Sequence, residues 1–179
     1  MNKFTTRFTT LVLSAIVSAS AVIIPAHAAN PYNISKLRID ELTIPTSTTQ
    51  TNVLLTDKAT FSKINLTIKP LALGRSDGKG FQFTDANGEL IAFDISDDHQ
   101  MQIYHERVVD SDDSVKIAAN VEYDFVVYVK STGIEVWFST RTTIKKVLEY
   151  KYSLKPPFKF YLFAQRTGAT FRDVTIKEQ

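Results

Sequence analysis

The chain has 179 residues, no cysteine, and 21 basic against 19 acidic side chains. The lack of cysteine excludes a disulfide-stapled scaffold and a thiolate zinc site. The near-balanced charge offers no general attraction for nucleic acid or anionic lipid, so no nucleic-acid partner is expected.

Lys3 and Arg7 precede a mostly apolar run from Leu11 to Ile24, and Pro25-Ala-His-Ala28 follows with small residues at Ala26 and Ala28. This is the layout of a secretory signal peptide over residues 1–28, cleaved after Ala28. Ser14, Ser18 and Ser20 interrupt the apolar run, which is short for a span of roughly 20 residues, so no membrane span is expected after cleavage. Such a signal implies a secreted or periplasmic protein. Loss of Lys3 and Arg7 takes the net charge from +2 to about zero. Residues 29–36 read as a flexible leader, and 37–179 as a single domain of ordinary size. Nothing in the sequence sets the oligomeric state.

Leu37 to Ile44 reads as a first strand, and the Thr-rich stretch from Pro45 to Thr51 as a loop. A short strand is expected over Val53–Thr56. Ile64, Leu66 and Ile68 alternate with Lys63, Asn65 and Thr67, which predicts a half-buried strand ending near Pro70. The glycine-rich stretch Gly74–Gly80 reads as a flexible loop and lacks the order of a phosphate loop. Gly80–Thr84 and Glu89–Ile95 flank Asp85-Ala-Asn-Gly88, a strong hairpin signal. Met101–Tyr104 is another short strand, and Asp110–Ser114 a charged loop. Tyr123–Val129 and Ile134–Phe138 flank Lys130-Ser-Thr-Gly133 and predict a hairpin. Thr140–Tyr152 has the spacing of a strand pair, with one or two helical turns over Ile144–Tyr150 as the alternative; strand is preferred because Tyr150 and Tyr152 alternate with Lys151 and Ser153. Phe158–Phe163 and Ala169–Ile176 flank Arg166-Thr-Gly168 and predict a further hairpin. Short strands with turn signals roughly every 8–12 residues indicate an all-β, antiparallel two-sheet sandwich. Alternation places Phe125, Val127, Val129, Ile134, Val136, Phe138, Phe158, Phe160 and Leu162 in its core.

Three stretches resemble the concanavalin A-like jelly-roll superfamily, which includes laminin G-like domains, lectins and glucanases. They are Gly80-Phe-Gln-Phe-Thr84 with Gly88–Phe93, then Tyr123–Trp137, and the closing Ala169–Ile176. The resemblance covers residues 60–179. The catalytic branch of that superfamily carries a strand with E-x-D-x-x-E. The nearest acidic strand here, Ala92-Phe-Asp-Ile-Ser-Asp-Asp98, lacks that spacing. The resemblance therefore implies a non-catalytic binding module rather than a glycosidase.

Trp137, the single tryptophan, shares an alternation phase with Glu135, while Tyr128 shares one with Asp124 and Tyr161 with Lys159. Aromatic residues interleaved with carboxylates on one sheet face suit the C–H surfaces and hydroxyls of a sugar. Trp137, Tyr128, Tyr161, Glu135 and Asp124 are thus the expected ligand-binding residues, with a covering loop as the competing explanation. Asp110, Asp112 and Asp113 offer oxygens for calcium but lack the glycine and terminal glutamate of an EF-hand, so a solvated turn is preferred and no cofactor is expected. His99 and His105 match no common zinc spacing, and no nucleophile elbow accompanies them, so no catalytic residue is assigned. These readings favour an exported, non-catalytic module that binds carbohydrate or a cell-surface component. The alternatives are a structural or adhesive protein making protein–protein contacts, and a glycan-acting enzyme.

N-terminal sequencing of the exported product should begin at Ala29. Recovery of the full-length chain in the membrane fraction would contradict the cleaved signal.

Overall fold

The computed structural model describes residues 36–74, 77–96 and 101–179, so the expected signal peptide and most of the expected leader lie outside the described residues. Twelve strands are described: β1 (Lys36–Ile44), β2 (Gln50–Ala59), β3 (Ser62–Pro70), β4 (Gly78–Thr84), β5 (Leu90–Ser96), β6 (Met101–His105), β7 (Arg107–Asp112), β8 (Tyr123–Lys130), β9 (Gly133–Ser139), β10 (Ile144–Lys151), β11 (Phe158–Gln165) and β12 (Ala169–Glu178). One six-stranded sheet runs β1-β12-β3-β8-β9-β10, and the other runs β2-β11-β4-β5-β6-β7. Each strand pair is antiparallel. The expected all-β sandwich is the fold observed.

The two inner faces bury a phenylalanine-rich core. Phe93 of β5 meets Phe125 of β8 across the sandwich, edge to face, with ring centres 4.9 Å apart. Phe81, Phe83, Phe158 and Phe160 form a second cluster in edge-to-face contacts of 5.1–5.9 Å. The sequence-derived core is correct in every member: eight of the nine side chains are buried, and Phe138 packs partly exposed against them. The β4–β5 hairpin also forms as expected. The buried Asp85 accepts the N–H groups of Asn87 and Glu89 at 2.8 and 3.1 Å, and Gly88 closes the turn at φ 88°. That positive φ suits glycine, which has no Cβ to clash.

Several elements depart from the sequence reading. Phe158–Phe163 and Ala169–Ile176 do not form a hairpin. β11 pairs with β2 and β4 in one sheet, whereas β12 pairs with β1 and β3 in the other. Arg166-Thr-Gly168 is thus a crossing between layers, and a short turn-like break looks alike in either role. The segment expected as a strand pair from Thr140 is one strand, β10, with a register shift between Lys146 and Leu148. Asp110–Asp112 belongs to β7 rather than to a loop, because β6 supplies its pairing partners. Gly78–Gly80 joins β4, since its backbone pairs with β5 and β11. β2 runs on both sides of the short strand expected there.

The sheet edges meet along one side. Asp110 accepts the Glu149 N–H at 2.8 Å, linking β7 to β10. His105 lies between Glu89 and the Tyr150 hydroxyl, at 2.9 and 3.0 Å from its two ring nitrogens. His105 of β6 thereby links its sheet to β10 of the other.

Phe125→Ala should destabilise the domain by about 3–5 kcal/mol, the usual cost of truncating a buried phenylalanine. Denaturant titration measures this, and a near-zero loss would place Phe125 outside the core.

Candidate functional site

The inward register of the core decides what faces outward. On β4, Phe81 and Phe83 point inward and Gln82 outward. On β5, Phe93 and Ile95 are core and Asp94 faces out. On β6, Met101 and Ile103 are core and Gln102 faces out. On β11, Leu162 and Ala164 are core, leaving Phe163 and Gln165 on the outer face. These outward groups line a groove of about 630 Å³ on the second sheet, with Gln50 and Asn52 of β2 at one side and Tyr104 of β6 at the other.

The groove is rich in amides. Gln50 Nε2 donates to Asn52 Oδ1 at 2.7 Å and to Gln82 Oε1 at 3.1 Å. Phe163 is only 3% exposed although it lies on the outer face. A Cβ at Gly78 would sit 3.5 Å from its ring, and one at Gly80 would collide with the Phe93 carbonyl at 2.1 Å. Gly78 therefore keeps this part of the floor low, while Gly80 lets the β4 and β5 backbones approach.

Two carboxylates stand in that floor. Asp77 pairs with Lys79, a lysine fully buried on the core side of β4. The same Asp77 oxygen, Oδ2, accepts the Thr167 hydroxyl and, at 3.1 Å, the Gly74 N–H. Asp94 stands across from Gln102 on the adjacent strand. Burial pushes the Asp94 carboxyl up to about 7, and nearby Asp77 adds to this, while the Gln102 side chain and Lys79 act against it. Asp77 Oδ1 and Asp94 Oδ1 are buried and have no hydrogen-bond partner among the described residues.

The five residues expected from the sequence are not brought to one face. Trp137, Tyr128, Glu135 and Asp124 belong to β8 and β9 of the first sheet. Tyr161 belongs to β11 of the second, on the face that carries the groove. The expectation of a shared face fails for Tyr161 because the chain changes sheets after β11. The other four lie on a face laced with charge. Lys130 pairs with Glu135 at 2.8 Å and, with Trp137, holds its carboxyl below the usual range. Lys63 and Lys130 both lie over the Tyr128 ring, at 5.8 and 5.3 Å from its centre. Trp137 Nε1 donates to Glu135 at 3.4 Å, and the Thr67 hydroxyl donates to Asp124 at 2.6 Å.

Of the three aspartates weighed for calcium, Asp110 and Asp112 accept backbone N–H groups of Ser111, Glu149 and Ser114. Among the described residues no group of three or more carboxylate or imidazole side chains is placed to hold a metal. Sequence reasoning missed the groove because Gln50, Gln82, Gln102 and Gln165 come from four strands far apart in the chain. The available signal was the alternation of Gln82 and Asp94 with buried phenylalanines.

The structure is similar to the carbohydrate-binding module CBM66 from Bacillus subtilis, with a TM-score of 0.61 and 14% identity over 80% of this chain and 96% of that one. The fold is a concanavalin A-like jelly roll. Two further neighbours share it. The Crh5 transglycosylase in complex with NAG has a TM-score of 0.56 and 12% identity, over 77% of this chain and 72% of that one. The GH43 BlXynB protein from Bacillus licheniformis has a TM-score of 0.55 and 6% identity, over 76% of this chain but 32% of that one. At these identities the likeness is one of fold. The sequence matches no protein-family profile, and comparison with curated proteins finds no significant match.

The Asp94 carboxyl has a testable signature. Its unfolded form loses a proton near the ordinary 3.8, whereas the folded form keeps it to about 7. The unfolded state is therefore favoured as pH rises through that window, and stability falls by roughly 2–4 kcal/mol. Asp94→Asn should remove this slope, so the variant gains on the parent at pH 8 and not at pH 4. Parallel slopes in denaturant titrations at the two pH values would contradict the burial of this group.

Proposed function

We propose that the protein is an exported, non-catalytic module that binds carbohydrate in the groove of the second sheet. The observation that carries this reading is the convergence of side-chain amides, buried carboxylates and aromatic rings on one outer face. Amides and carboxylates match the paired donor and acceptor character of sugar hydroxyls, and the exposed Tyr104 offers flat apolar surface for sugar C–H groups. Leu54, Leu90 and Val108, exposed on the same sheet, extend the apolar rim. The likeness in fold to CBM66, a carbohydrate-binding module, supports the same reading. The signal-peptide layout of residues 1–28, if cleaved as expected, supports a location where glycans are met.

Absence of catalysis is supported by the carboxylate arrangement. Glycoside hydrolysis commonly needs one carboxyl as acid and a second as base or nucleophile. Asp77 Oδ2 is held by Lys79, Thr167 and the Gly74 N–H, and the strand of Asp94, Ala92-Phe-Asp-Ile-Ser-Asp-Asp98, lacks the E-x-D-x-x-E spacing.

A second reading places the ligand on the face of Trp137, Tyr128, Glu135 and Asp124. It is favoured by a hollow of about 250 Å³ that Lys130 and Glu135 line. The lysines over Tyr128 and on Glu135 would have to move for a sugar to stack there.

A glycan array probed with the mature protein should show retention that Gln102→Ala and Tyr104→Ala each weaken about tenfold, equivalent to 1.4 kcal/mol. Trp137→Ala should leave it unchanged. Loss with Trp137→Ala alone would favour the second reading, and absence of retention on every glycan would overturn carbohydrate binding. Release of reducing ends from a retained glycan would overturn the non-catalytic role.

A further inference from the structure

We infer that the Asp77–Asp94 end of the groove is a subsite for the primary ammonium group of an amino sugar. The inference rests on the reading of the groove as a glycan site and names the chemistry of its ligand.

Asp77, 3% exposed, is among the residues lining the groove, and its Oδ1 has no hydrogen-bond partner among the described residues. Asp94 also lines the groove, and its Oδ1 is buried with no hydrogen-bond partner among the described residues. Buried acceptors without a donor are costly, and buried carboxylates most of all. The two aspartates flank Gly78, which follows Asp77 in the chain and whose added Cβ would stand 2.8 Å from Asp94 Oδ2. The missing side chain leaves room beside the Asp94 carboxyl, in the part of the groove that Asp77 also lines.

Donor count selects the ligand. A hydroxyl carries one hydrogen, enough for one of the two acceptors. An ammonium carries three and satisfies both. Charge selects it again, because Lys79 offsets one of the two carboxylates and one further positive charge balances the pair. The fold already uses this solution beneath the floor, where the Lys79 ammonium serves Asp77 Oδ2. A calcium ion fits less well, since it takes 6–8 oxygens and would stand beside the lysine. N-acetylation of the sugar removes the charge and leaves a single N–H. The Asp94 carboxyl, pushed up by burial, returns to its ionised form when a cation sits against it.

Calorimetric titration of the mature protein at pH 7 tests this with three tetrasaccharides of one linkage: glucosamine, N-acetylglucosamine and glucose. The glucosamine oligomer should bind at least about tenfold more tightly than the other two. The difference should vanish in Asp94→Asn, which keeps the shape and removes the charge. Gly78→Ala, which fills the space without altering charge, should abolish it too and serves if Asp94→Asn fails to fold. Equal affinity for the three oligomers would overturn the ammonium subsite and leave glycan binding intact. A preference that survives both substitutions would place the amine elsewhere and also overturn it. Failure of all three to bind the parent protein, together with an empty glycan array, would overturn the glycan reading and this inference with it.

Discussion

The edge-to-face contact of Phe93 with Phe125 fixes the register on which the rest of the molecule depends. It joins β5 to β8 across the sandwich in a chain that has no disulfide to do so. In a strand, a slip of one residue sends every side chain to the opposite face. Seating Phe93 and Ile95 inward therefore obliges Asp94 to face outward, and seating Phe81 and Phe83 inward does the same for Gln82. The groove is the complement of the core. No separate local structure builds it.

Two side chains break the alternation of apolar inside and polar outside, and both shape the groove. Lys79 points inward with no exposure, and Asp77 neutralises it. A buried charge pair is weak evidence for stability, because desolvation offsets much of the attraction. What the pair does visibly is hold Asp77 at the lip of the floor. Phe163 breaks the rule the other way, being an outward aromatic that is nevertheless covered. The exposed apolar surface of the groove comes from Tyr104 and Leu90, and it lies next to two carboxylates and several amides. Apolar surface beside a few convergent polar groups is the usual character of a small-ligand site.

Much of the fold was legible in the sequence. The inward sets of β8, β9 and β11 follow from period-two alternation, and the Asn87-Gly88 pair marks the β4–β5 turn. The partnership of strands was less legible. Arg166-Thr-Gly168 has the composition of a hairpin turn, yet the strands beside it join different sheets. Whether a strand folds back or crosses over depends on partners a hundred residues away, such as β2 for β11 and β3 for β12. That single misplacement carried Tyr161 onto the face of Trp137 in the sequence reading. The groove was illegible for the same reason, since its amides share no motif and meet only through long-range pairing. Lys79 carried no sequence signal for burial, because its partner Asp77 stands in a stretch that reads as a flexible loop.

The account's central claim is that the ligand face belongs to β4, β5, β6 and β11. Two-dimensional amide NMR during addition of an oligosaccharide retained on the glycan array tests it most directly. The side-chain NH₂ signals of Gln82, Gln102 and Gln165 report one face, and the lone Trp137 indole N–H reports the other. The account predicts that the glutamine signals shift with added sugar while the indole signal stays in place. A moving indole signal with unmoved glutamine signals would contradict it.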